Sequence, residues 1–144
     1  MKEHELPNLI RTSFSLCSLK ERYIFLTGGK GPLNRKTKKV ERFDTTKNSW
    51  ETMPNLNKTR VIHSSCCLGG SIYVFGGDKE DETTGKIQST SIERLCKAFG
   101  PKSLTSKRWY LINLPERHNI KFINAVSALN SKEIVIFGKQ EEDL

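Results

Sequence analysis

Short apolar runs that end in glycine, separated by polar stretches, set the rhythm of this chain. The clearest run reads Arg60-Val61-Ile62-His63-Ser64-Ser65-Cys66-Cys67-Leu68, then Gly69-Gly70-Ser71, then Ile72-Tyr73-Val74-Phe75-Gly76-Gly77. Two short strand-like segments around a tight glycine-containing turn predict a β-hairpin. The pattern occurs upstream as Arg11–Leu19, a polar turn Lys20-Glu21-Arg22, and Tyr23–Gly29. It occurs downstream as Lys121–Leu129, a turn Asn130–Glu133, and Ile134–Gly138, with Lys139 in place of the second glycine.

The copies keep step. Arg11, Arg60 and Lys121 are 49 and 61 residues apart, and Leu19, Leu68 and Leu129 repeat both intervals. The first two hairpins are followed by a polar loop and two further segments, Val40–Asp44 with Trp50 and Ile92–Cys96 with Trp109. These are expected to be the third and fourth strands of each unit. Met53-Pro54-Asn55-Leu56, Leu114-Pro115-Glu116-Arg117 and Leu6-Pro7-Asn8-Leu9 each precede the basic residue that opens a copy. The chain is therefore divided into the tail of a preceding repeat (1–10), a first repeat (11–59), a second (60–120) and the first half of a third (121–144).

A hydrophobic second strand ending in Gly-Gly, an aromatic at Phe43 and a tryptophan at Trp50 resemble the kelch motif. The second copy departs from it. Leu95 stands where the aromatic belongs, and 14 residues rather than 7 separate that position from Trp109, so an enlarged loop is expected near 97–106. The resemblance implies an all-β fold, a partial kelch-type β-propeller of two four-stranded blades plus half of a third. Gly28, Gly29, Gly76, Gly77 and Gly138 would permit sharp turning or close approach, and Phe43, Trp50 and Trp109 would pack between sheets. Propellers close with about four to eight blades, so further blades or self-association are implied.

Composition narrows the partners. With 24 Lys and Arg against 16 Asp and Glu in 144 residues, the net charge of +8 favours acidic partners. No apolar stretch has the length of a signal peptide or membrane span, so a soluble, cytoplasmic protein without a membrane role is expected. Cys17, Cys66, Cys67 and Cys96 lie in apolar segments and read as buried structural thiols.

Up-and-down topology puts the loop after the second strand and the connection into the next first strand on one face. That face would carry Arg35, Lys36, Lys38 and Lys39, the polar loop Asp78–Lys86, and the recurring Arg11, Arg60 and Lys121. We expect Arg11, Arg60 and Lys121 round a channel mouth, binding carboxylates of an acidic protein partner; the plainer alternative is pairing with local acids or water. No aromatics interleave with the lysines of 30–39, which argues against nucleic acid.

Residues that tempt a catalytic reading do not sustain one. Cys66 and Cys67 point to opposite faces of a strand, and no second pair lies at zinc-like spacing. His63 shares its repeat position with Phe14 and Asn124, so packing is favoured over metal ligation. His4 and His118 have no nucleophile motif around them, and Gly28-Gly29-Lys30-Gly31 lacks the spacing of a phosphate loop. No catalytic residue, metal or cofactor is assigned. The resemblance implies a non-catalytic protein-interaction module, similar to kelch proteins that recruit substrates to ubiquitin ligases or bind cytoskeletal and scaffold partners. The alternatives are a fragment of a propeller enzyme whose site lies in other blades, or a truncated copy without independent function.

Overall fold

Glycines, asparagines and charged residues interrupt the apolar runs every few positions, so the chain folds into short antiparallel strands. The computed structural model describes residues 11–81, 85–88, 90–101, 105–114 and 120–140. The first sheet holds β1 (Ser15–Leu19), β2 (Tyr23–Thr27), β3 (Val40–Asp44) and β4 (Ser49–Met53), in the order β1-β2-β3-β4. In the second, β5 (Ser64–Leu68), β6 (Ser71–Phe75), β9 (Ile92–Leu95) and β10 (Tyr110–Ile112) are arranged β10-β9-β6-β5. The third unit is the hairpin of β11 (Ile120–Ala128) and β12 (Ile134–Gln140). The fold is that of a partial propeller, nearly all β, and the described sheets do not close into a barrel.

The register repeats as well as the order. Ser15 pairs with Thr27 and Cys17 with Phe25 in the first sheet; Ser64 pairs with Phe75 and Cys66 with Tyr73 in the second. Phe43 lies opposite Trp50, their rings 5.1 Å apart. The central strands β2 and β6 are almost wholly buried.

The core lies between successive sheets. Phe25, Val40, Met53 and Leu56 of the first unit meet Ile72, Val74, Leu95, Ala98 and Trp109 of the second. Trp109 Nε1 donates to the Pro54 carbonyl at 2.8 Å, so this ring satisfies its polar atom while packing between sheets. A smaller cluster joins Cys66, Phe75 and Ile92 to Ile123 of the third hairpin.

Two expectations are corrected. The first strands begin at Ser15 and Ser64, four residues later than Arg11 and Arg60, because Ser13 (φ +55°) and Ile62 (φ +53°) are left-handed and break the extended run. The segment expected as a polar loop after Gly77 instead pairs as β7 (Asp78–Asp81) with β8 (Gly85–Gln88), a separate hairpin. The connection between Leu95 and Tyr110 is long, whereas that between Asp44 and Ser49 is a tight turn. Among the described residues no helix is long and apolar enough to cross a membrane.

Candidate interaction face

The face at the ends of β2 and β6 is built by a device that occurs twice. Gly29 (φ +92°) and Gly77 (φ +90°) follow these strands in a conformation that disfavours side chains. A Cβ on Gly29 would lie 2.6 Å from the Thr12 carbonyl oxygen and 3.0 Å from Phe14 Cβ. At Gly77 it would lie 2.8 Å from both the Val61 oxygen and His63 Cβ. Each glycine thus lets the lead-in to a first strand pass directly against the end of the second.

An arginine then fastens each crossing from within. Arg11 donates to the carbonyls of Gly28 (2.9 Å) and Lys39 (3.0 Å) and to the Glu41 carboxylate. Arg60 donates to Glu93 (3.1 Å), to the Gly76 and Ser91 carbonyls and to Ser91 Oγ. Burial lowers the pKa of both guanidinium groups, with Glu41 and Glu93 acting in the opposite direction. Arg60 is only 1% exposed and Arg11 7%.

This corrects the expectation that these two arginines bind a partner's carboxylates. A buried guanidinium must find its acceptors internally, and the strand-end carbonyls and the acid of β3 or β9 accept from both arginines here, with Arg11 Nε alone left over. Lys121 lies on β11, but its side chain is outside the described residues, as are His4 and His118.

The exposed residues on this face are different ones. Gly29 N donates to the Arg60 carbonyl at 2.8 Å and Leu56 N to the Lys38 carbonyl at 2.9 Å, sewing the loop 28–39 to the lead-in of β5. Arg35, Lys38 and Lys39 are exposed on that loop and Lys36 is half-buried. Just before them a 3-10 turn at Pro32–Asn34 lifts Leu33 to 85% exposure. Ile62 is 69% exposed at its left-handed position. Sequence reasoning missed both apolar side chains. The available signal was an isoleucine at 62 where the first copy has Ser13.

The opposite end of the first sheet carries a cleft of about 470 Å³ between Tyr23, Lys47, Phe99 and Pro101. Its arginines are already neutralised: Arg22 pairs with Asp44, and Arg42 with Glu51 while also donating to the Ala98 and Gly100 carbonyls. The hydrogen bond from Arg22 holds the Asp44 carboxyl well below the usual range, with Thr46 assisting.

The remaining titratable groups serve packing. His63 Nε2 lies 2.9 Å from Thr27 Oγ1, and burial together with nearby Arg60 lowers its pKa to about 4. Burial pushes the Cys66 thiol up to about 12. Among the described residues no group of three or more His, Cys, Asp and Glu side chains could hold a metal. Gly28 and Gly76 precede the crossing glycines, also left-handed, whereas Gly138 lies inside β12.

Residues 11–57 match the family model of the kelch motif. The chain is 26% identical over 91 residues to an F-box/kelch-repeat protein of Arabidopsis thaliana, covering 63% of this chain and 23% of that protein. It is 32% identical over 77 residues to Kelch-like protein 21 of Danio rerio, covering 54% of this chain and 12% of the relative. The matches thus span less than a quarter of either relative's length. Residues 11–57 thus carry a kelch motif, and the second sheet repeats the strand register of the first.

Proposed function

We propose that this chain is a non-catalytic protein-interaction module that binds acidic partner segments through its loop face. The contact points are Leu33 and Ile62, rimmed by Arg35, Lys38 and Lys39, while the Lys36 ammonium is buried. In this reading the module serves as a substrate-recruiting adaptor or scaffold binder in the cytoplasm, in keeping with an F-box/kelch-repeat protein among its relatives. Further blades or self-association would complete the platform.

The observation that carries this reading is Ile62. A β-branched residue in the left-handed region costs about 1–3 kcal/mol, and Ile62 is 69% exposed. Folding gains little from placing an isoleucine there, whereas a partner's apolar side chain would bury it. The basic rim supplies attraction at a distance and the two apolar points supply desolvated contact.

Panning a phage-displayed random peptide library on the immobilised chain tests this. Selected peptides should combine Asp or Glu with a large apolar residue, and their affinity should fall with added salt. Ile62→Asp should weaken them by about tenfold or more, the effect of losing a central contact. Unchanged affinity in both Ile62→Asp and the double variant Lys38→Glu/Lys39→Glu would overturn the assignment of this face.

A further inference from the structure

Strands β1 and β5 open two successive sheets and lie against each other. Ser15 Oγ and Ser65 Oγ are 2.7 Å apart, and the thiols of Cys17 and Cys67 meet at 3.2 Å between sulfurs. Alternation along a strand puts Ser15 with Cys17 and Ser65 with Cys67 on facing sides. Both thiols are free, partly exposed, and packed on the rim of the larger core. We propose that Cys17 and Cys67 form a reversible dithiol–disulfide site that ties the first sheet covalently to the second.

The other cysteines lack this arrangement. Cys66 points into the separate cluster around Phe75 and Ile123, and Cys96 follows β9. The two sulfurs need to approach by roughly 1 Å to reach the bond length of about 2.05 Å. Rotation of the two side chains about their Cα–Cβ bonds would supply that movement. The partners are also unequal. The hydrogen bond from Cys67, assisted by Ser65, lowers the Cys17 pKa against the effect of burial, while that of Cys67 is raised. In this site Cys17 is the proposed attacking sulfur and Cys67 the resolving one.

With hydrogen peroxide as oxidant, the Cys17 thiolate attacks one oxygen; an S–O bond forms, the O–O bond breaks and hydroxide departs. The Cys67 sulfur then attacks the Cys17 sulfenic acid; the S–S bond forms, the S–O bond breaks, and the departing oxygen leaves as water with the proton from Cys67. Two thiols lose two electrons and the peroxide is reduced to two waters. A small dithiol reductant reverses the bond by exchange.

The test uses the unsubstituted chain. It is treated with graded hydrogen peroxide, blocked with N-ethylmaleimide, digested and examined by mass spectrometry. The site predicts a dominant peptide linking Cys17 to Cys67, with Cys66 and Cys96 alkylated, cleavage of the link by dithiothreitol, and a higher unfolding midpoint for the oxidised form. In Cys67→Ser, Cys17 should accumulate as a sulfenic acid captured by dimedone. Full alkylation of Cys17 and Cys67 after peroxide, or their linkage to other cysteines, would overturn the proposal.

Discussion

The first two hairpins and the third begin with similar sequence and end differently. β1–β2 and β5–β6 stop after five residues in each strand, whereas β11 runs for nine and β12 for seven, with irregularities in their register. Ile62 and Ile123 occupy the same place in their copies, two residues after the opening basic residue. Ile62 is left-handed and 69% exposed; Ile123 continues β11 and is 5% exposed. An isoleucine at this place does not by itself decide the conformation. A residue across the hairpin does: Gly77 admits the Val61 carbonyl where a side chain would collide, and in the third copy Lys139 stands there. The loop proposed as the contact thus depends on a glycine that never needs to touch a partner.

The anchored hairpins should be broken most severely through Arg60. Arg60→Met leaves the fully buried Glu93 carboxylate without its charge partner and should cost about 3–5 kcal/mol in urea unfolding. Arg11→Met should cost less, because the Glu41 side chain is 17% exposed and regains water. Equal losses would show that the two staples are not distinguished by burial.

Acid should weaken the second hairpin next. The folded pKa of His63 is depressed to about 4 from 6.5, so the unfolded chain binds the proton first. Its contribution is complete above pH 6.5 and is lost as pH falls toward 4, by up to roughly 3 kcal/mol. His63→Phe, which copies Phe14 of the first repeat, should flatten that part of the stability–pH profile. A profile identical to that of the parent chain would remove His63 as the cause.

Gly77→Ala should cost about 2–3 kcal/mol, from a left-handed alanine pressed against backbone. Gly69→Ala is the control: it is left-handed too, but no atom lies within 4 Å of its added Cβ, so about 1 kcal/mol is expected. The smallest effect is expected from Lys139→Gly, under about 1 kcal/mol. Its signature is local, a loss of amide exchange protection around Ile123 as the long hairpin shortens.

Hairpins, tight turns and repeat spacing were legible because alternation and glycine placement act over a few residues. The left-handed breaks at Ser13 and Ile62 were not, since they arise where a distant glycine permits a crossing. The basic positions misled for a related reason. Sequence marks Arg11 and Arg60 as recurrent cations, but their acids lie 30 and 33 residues away on neighbouring strands, and only the folded sheet buries them together. The Cys17–Cys67 meeting was hidden by the repeat itself, because the position equivalent to Cys17 is Cys66, which faces the other way.

Amide chemical-shift mapping with a library-selected acidic peptide tests the loop-face assignment most directly. Binding there should shift Leu33, Arg35, Lys38 and Lys39 together with Ile62 and His63, and Ile62→Asp should abolish those shifts. Shifts gathered instead at Arg22, Lys47 and Gly100, around the cleft at the opposite end of the first sheet, would contradict it.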